Sequence, residues 1–255
     1  IAISGESPEI TENDIEKVIE AAKAGIISSE KELIHTLSRE FIVDGQSGIS
    51  DPLGMSGARL EGKVHIITGS ITAVQNLVKC VEQAGMDIEE IIFGTLASSN
   101  VILSNAEKEL GILLIDIGAG TTEIAIFVEG GLAYSAVLPV GGVQITNDLA
   151  VGLRTSIEEA EKIKISYGSA VENSASSEKL IEISDINGKE KHNVSKKYLV
   201  EIIEPRVSEI FNFIGMEVKK SGCYSMIPGG IVITGGSSLL PGISKVAEQV
   251  LNFTL

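Results

Sequence analysis

The chain is 255 residues long, 44% hydrophobic with a mean hydropathy of +0.27, and carries a formal net charge of −15. A chain of this length and apolar content exceeds one average domain and can bury a sizeable core, which excludes an intrinsically disordered protein. The acidic balance argues against nonspecific binding to nucleic acid or to an anionic lipid surface, and no basic amphipathic helix overrides it.

Gly, Glu, Lys or Asp interrupts every apolar run before it reaches the length needed to span a bilayer. Cys80 and Cys223 cannot build a disulfide framework, and His35, His65 and His192 lack zinc spacing. They read as ordinary buried or surface residues in a reducing, cytosolic compartment. There is no initiator Met and no signal peptide, and residue 1 already lies in strand-like sequence, so the chain is expected to start inside a domain.

In chain order, residues 1–70 read as strand, helix, strand, strand. Glu12–Ala24 is helical, with Ile15, Val18, Ile19 and Ala22 at helix-face spacing and Thr11 as N-cap. Leu33–Val43 is rich in strand formers and stops at Asp44-Gly45. Ala58–Ile66 alternates apolar and polar residues as a half-exposed strand does, and Asp51–Gly57 is the turn-rich connection before it. This small α+β unit holds no catalytic constellation. A helix over Thr72–Ala84 follows, stopped by Gly85, then a short strand Ile88–Phe93 and a helix Leu96–Leu103.

Ile112–Val128 reads as strand, glycine turn, strand, and continues through Gly130-Gly131 into Leu132–Pro139, which predicts a partly antiparallel sheet. A helix opens after Gly141-Gly142 and runs through Leu149. Ser156-Ile-Glu-Glu159 fits a capping box that starts another. Tyr167–Ser177 is a small, polar loop, and Asp185-Ile-Asn-Gly-Lys189 signals a type I′ hairpin. Lys197–Lys220 is helical, with Pro205 expected to kink it or to begin a second segment. A strand leading into Gly235 and a helix over Pro241–Leu251 complete the chain, with no internal repeat.

Two glycine turns carry the chemistry. Asp116 stands at the end of a buried strand, a position from which its carboxylate can hold magnesium directly or through water. Gly118 and Gly120 let backbone amides face phosphate oxygens, and Thr121 and Thr122 offer hydroxyls to the same anion site. A tight hairpin with glycines for the turn alone is the competing reading. The second turn, Gly235-Gly236-Ser237 between a strand and a helix, favours phosphate, because two such turns suggest one nucleotide gripped from two sides. Glu161 and Lys164 share a helix face, placed either to reach a ribose or base or to form a solvated ion pair. Gly141 and Gly142 before a helix either contact phosphate or link domains.

Leu114–Ile126 resembles the second phosphate motif of the actin, Hsp70 and sugar kinase superfamily. Ile231–Ser237 is similar to its adenosine motif, and Val140–Ala150 to the segment connecting its domains. Phe41–Gly45, Asp51–Leu60, Val64–Thr68, Leu96–Ser98, Lys108–Gly111 and Ile203–Arg206 narrow the resemblance, across essentially the whole chain, to the FtsA family of actin-like bacterial division proteins. Asp51–Leu60 is the most specific of these, since other actin-like proteins lack this small domain here.

The resemblance implies an α/β fold of actin-like (ribonuclease H-like) lobes. Residues 1–70 would be an inserted small α+β (SHS2-type) domain used for self-association and contact with later division proteins, and 71–110 the remainder of the first lobe. Residues 111–150 and 226–255 would form the core of the second lobe, with 151–225 as its outer subdomain, which in the family grips the C-terminal peptide of FtsZ. Arg206 and Lys197 are the candidates for that acidic peptide, or else solvated helix charges.

The family also has an N-terminal hairpin with the first phosphate loop and a C-terminal amphipathic helix for the membrane, and this sequence carries neither. The resemblance thus implies a protein at the cytoplasmic face of the inner membrane that binds ATP and Mg, with this chain alone binding ATP weakly or not at all. Asn100 is the one residue of the Leu96–Leu103 helix suited to orienting water, so slow hydrolysis at most is expected. Assembly proteins of the PilM or MreB type, and a small-molecule kinase of the superfamily, are the alternatives. The Asp51–Leu60 segment speaks against the first two, and the absence of a second isolated acid beside the phosphate turn against the third.

Overall fold

The computed structural model describes residues 1–3, 9–24, 28–172, 180–186 and 191–253. The chain divides into two compact units, Ile1–Ile102 with Gly131–Ala133, and Leu103–Gly130 with Tyr134–Leu255.

The first unit contains α1 (Glu12–Lys23), β1 (Lys31–Val43), β2 (Gln46–Ile49), β3 (Leu60–Ser70), α2 (Ile71–Gln83) and α3 (Gly94–Ile102). Thr11 caps α1 reciprocally with Asp14: each side chain accepts from the other residue's amide, so two helix-end donors are satisfied. β1 pairs antiparallel with β3 along its length and with β2 at one end, giving the order β2-β1-β3. The β1–β2 turn runs through Asp44 and Gly45, at φ 47° and 87°. Val18 of α1 packs with Ile3, Ile10, Phe41, Val43 and Leu60 in one buried cluster.

Two expectations for this unit are corrected. Among the described residues the N-terminal segment forms isolated bridges, Ala2 to Arg59 and Glu9 to Ser56, rather than a strand, and the third strand of the sheet is the short β2, paired with β1. Ile88–Phe93 is not a strand. Exposed Glu89 and Glu90 break any period-2 alternation there, and the Phe93 amide donates to Nε2 of His35 at 3.0 Å.

The second unit contains α4 (Asn105–Leu110), β4 (Ile112–Ile117), β5 (Thr122–Val128), β6 (Gly131–Leu138) from Tyr134 onward, α5 (Gly142–Leu153), α6 (Ile157–Tyr167), β7 (Leu180–Ser184), β8 (Lys191–Ser195), α7 (Lys196–Lys220), β9 (Ile231–Thr234) and α8 (Ile243–Leu251). The sheet order is β6-β5-β4-β9, with β4 antiparallel to β5 and parallel to β9. Ile112, Leu113, Leu114 and Ile115 are all buried, as a central strand covered on both faces requires. The register pairs Asp116 with Glu123 on one side and with Thr234 on the other. Both glycine turns therefore leave the sheet at the same end.

α7 is one uninterrupted helix, so Pro205 begins no second segment. Leu199, Ile203, Val207, Ile210, Phe211 and Ile214 form a buried stripe along it. Burial of that stripe outweighs the roughly 3 kcal/mol that an internal proline costs. The Tyr134 hydroxyl of β6 donates to Glu217 and ties the helix to the sheet. β7 and β8 pair antiparallel as the hairpin signal predicted; Asn187–Lys189 of the turn itself lie outside the described residues, as does part of the Tyr167–Ser177 loop.

Candidate functional site

The first glycine turn is closed by its own backbone, with the Gly118 amide donating to the Thr121 carbonyl at 2.9 Å. Its position is then fixed from α5. The amides of Gly142 and Val143 donate to the carbonyls of Gly118 and Ala119 at 2.9 and 2.8 Å. Any side chain at Gly141 would stand 2.7 Å from both of those carbonyl oxygens. The small residues at 141–142 are thus required for the first turn of α5 to dock on the loop after β4, whatever the loop binds.

Thr121 and Thr122 part company. Thr121 is exposed, whereas Thr122 is fully buried and its hydroxyl donates to the Val140 carbonyl at 2.7 Å. A hydroxyl has one proton, so Thr122 anchors the strand end rather than donating to a ligand, which corrects the expectation for its side chain.

The second turn meets the first. Gly235 has φ 86° and ψ 169°, a conformation open essentially to glycine alone. A Cβ there would collide with the Asp116 carboxylate and lie 2.6 Å from the Ile117 carbonyl. Ser237 donates to the Gly118 carbonyl at 3.2 Å, and a Cβ on Gly142 would reach Ser237 Oγ at 2.6 Å. Asp116, Gly118, Gly142, Gly235 and Ser237 are therefore one locus.

α6 closes the other side. Lys164 Nζ donates to the Gly142 carbonyl at 3.1 Å and to Thr146 Oγ1 at 2.8 Å, and pairs with Glu161 Oε2 at 2.8 Å. The Thr146 hydroxyl also contacts Glu161 Oε2 and, at 3.1 Å, the Gly142 carbonyl. Burial alone would raise the Glu161 carboxyl, but hydrogen bonds from Lys164 and Thr146 and the lysine charge hold it below the ordinary carboxylate range. The solvated ion-pair alternative does not describe this pair: it is a partly buried network with a third member, Thr146, that sequence reading missed. Its only sequence signal is the i, i+4 spacing from Gly142, which does not reveal the contact with α6.

These elements enclose a cavity of about 860 Å³ lined by Gly118, Gly142, Glu161, Lys164, Gly236 and Ser237, with apolar Val143, Ile157, Ile165 and Leu239 around them. The volume suits a nucleotide-sized ligand. Asp116, Gly120, Thr121 and Gly235 are not among its lining residues. Among the described residues no group of three metal-ligating side chains occurs.

Asn100 lies exposed on α3, in the first unit. Arg206, on α7, is bound within the second unit. Its Nε and Nη2 donate to Asp148 at 2.5 and 3.0 Å and its Nη1 to Glu209. Holding an external acidic peptide would require breaking this arrangement. Lys197 is exposed near the start of the same helix and lines a separate small cavity of about 200 Å³ with Tyr167 and Lys196.

The family profile described as "Cell division protein FtsA" matches residues 113–255, and that described as "SHS2 domain inserted in FTSA" matches residues 1–68. The chain belongs to the FtsA family. Curated FtsA proteins are similar along nearly all of it: that of Borreliella burgdorferi is 44% identical over 99% of the chain, that of Pseudomonas aeruginosa 42% over 96%, and that of Bacillus subtilis 41% over 98%. The chain spans 62%, 58% and 57% of their respective lengths.

Solved structures establish the actin-like fold at low sequence identity. MreB5 of Spiroplasma citri bound to ADP aligns with a TM-score of 0.62 at 22% identity, covering 72% of this chain and 60% of that one. The PilM-PilN type IV pilus biogenesis complex aligns with a TM-score of 0.65 at 16% identity, covering 96% of this chain and 61% of that one. Among the described residues no helix is long and apolar enough to cross a membrane.

Proposed function

We propose that the cavity between α5, α6 and the Gly235 turn is the adenosine end of an ATP site, and that the protein is an FtsA-type scaffold whose assembly is switched by nucleotide. The observation that carries this is the convergence of Gly118, Gly142, Glu161, Lys164, Gly236 and Ser237, from separate stretches of chain, on one cavity. MreB5 of Spiroplasma citri, of similar fold, has been solved with ADP and with AMPPNP, which supports the reading.

On this reading the base lies among Ile157, Ile165 and Leu239, the sugar meets Glu161 and Lys164, and the phosphates run toward Gly118, Gly120 and Thr121. Asp116 holds Mg²⁺ through water. ATP serves as a conformational and polymerisation switch with slow hydrolysis at most.

Residues 1–70 serve self-association and later division proteins, and 71–110 complete the first actin-like lobe. The core at 111–150 and 226–255 carries the nucleotide, and the outer part at 151–225 holds the FtsZ C-terminal peptide, with Lys197 the more accessible of the two candidate cations. A membrane-binding helix beyond residue 255 places the protein at the cytoplasmic face of the inner membrane at the division site.

Saturation-transfer difference NMR of ATP with this chain tests the reading, since it detects weak binders. Saturation of adenine and ribose protons, abolished by Lys164→Glu, is expected. No saturation with a folded chain would refute it.

A further inference from the structure

Thr146 has no counterpart among the side chains expected to meet a nucleotide, yet it sits at the centre of the polar end of the cavity. It is 2% exposed, so its hydroxyl is out of reach of bulk water. It accepts from Lys164 Nζ at 2.8 Å, and its single proton is offered to Glu161 Oε2 or to the Gly142 carbonyl. Lys164 and Thr146 both contact the same carboxylate oxygen of Glu161, Oε2.

That leaves Oε1 as the acceptor that Glu161 presents to whatever fills the cavity it lines. A glutamate on a solvent-facing helix samples many rotamers. One whose Oε2 is clamped by an ammonium and a buried hydroxyl does not, and its free oxygen is pre-positioned.

We infer that Thr146 is a positioning residue which, through Glu161, makes this cavity select a sugar with a free ribose hydroxyl over its deoxy counterpart. The inference rests on the nucleotide reading of the cavity. The chemistry is that of a carboxylate accepting a hydrogen bond from one hydroxyl of a vicinal diol. The cavity's other walls include apolar Val143, Ile157, Ile165 and Leu239, which make no such distinction, and the charged Glu158 and Lys162, to which Thr146 makes no hydrogen bond. Loss of one charge-assisted hydrogen bond at a fixed acceptor corresponds to about tenfold in affinity. A mobile acceptor gives back most of that factor, because it must be ordered on binding.

The test is competition in saturation-transfer NMR between ATP, 2′-deoxy-ATP and 3′-deoxy-ATP on the 255-residue chain, on Thr146→Val and on Thr146→Ser. The wild-type chain is expected to prefer ATP over one of the deoxy nucleotides by about tenfold. The isosteric valine should shrink that preference to about twofold, while serine, which keeps the hydroxyl, restores it. Equal binding of all three nucleotides by the wild type overturns the inference whether or not the variants fold. So does a folded valine variant that keeps the wild-type preference, or a serine variant that fails to restore it. Absence of binding by the wild type removes the nucleotide reading itself, a result distinct from equal binding.

Discussion

Replacing Gly235 by alanine tests the way the two glycine turns are fitted together. The residue occupies φ 86°, ψ 169°, where a non-glycine backbone costs about 1–3 kcal/mol. The new methyl would also collide with the Asp116 carboxylate and sit 2.6 Å from the Ile117 carbonyl oxygen. The second of these is backbone in a buried strand and has no rotamer by which to retreat. Overpacking of that kind costs a further 1–3 kcal/mol or so, giving about 4 kcal/mol together. For a unit of this size that lowers the melting temperature by roughly 10 °C. Gly236, next along the chain, has open space where its Cβ would stand, and Gly236→Ala should stay within about 0.5 kcal/mol of the parent. Thermal melts followed by circular dichroism separate the two. A Gly235→Ala variant melting within about 2 °C of the parent would mean that the turn relaxes freely, and the argument for a rigid Asp116–Gly235 contact would fall.

Two further outcomes follow from the second unit. Burial and the hydrogen bond to Glu217 push the Tyr134 hydroxyl up to about 12, above its unfolded value. A raised pKa stabilises the fold below the unfolded value, near 10, and that contribution is lost as pH climbs from there toward 12. Solvent screening at this partly exposed site reduces it to about 1 kcal/mol, and urea titrations at pH 9 and 11 should show Tyr134→Phe losing less stability than the parent over that interval. For the peptide partner, fluorescence anisotropy of a labelled FtsZ C-terminal peptide should be weakened several-fold by Lys197→Glu, on the order of 1 kcal/mol for a rim charge. Arg206→Met should instead act mainly on stability, by about 1 kcal/mol, through loss of its bidentate pair with Asp148; a peptide affinity more sensitive to Arg206 than to Lys197 would reverse that assignment.

The sheet of the second unit was legible because its signals are local. Ile112–Ile115 is a continuous apolar run, as a doubly covered strand must be, and the glycines after Asp116 and Thr234 mark where the chain must turn. α4 was equally legible and passed unread: Ser104 and Glu107 form a reciprocal capping box and Gly111 ends the helix. Ile88–Phe93 misled because three strand formers, Ile91, Ile92 and Phe93, outweighed the Glu89-Glu90 pair that breaks the alternation. At Pro205 the second-segment alternative fails, since a helix with a buried stripe runs on past it. Around the cavity, Gly141 and Gly235 stand where backbone geometry demands glycine, and such turns are visible in a sequence. The partners of the hydroxyls are not. Whether Thr122 faces a ligand or Val140, and whether Thr146 reaches α6, is decided by packing between segments far apart in sequence.

The most direct test of the nucleotide site is an amide-correlation NMR titration of the ¹⁵N-labelled chain with Mg-ATP. Saturable shifts of the Gly118, Gly142 and Gly236 amides, in the millimolar rather than the micromolar range, are the predicted result. Shifts confined to residues outside this cavity, or none at all in a well-dispersed spectrum, would contradict it.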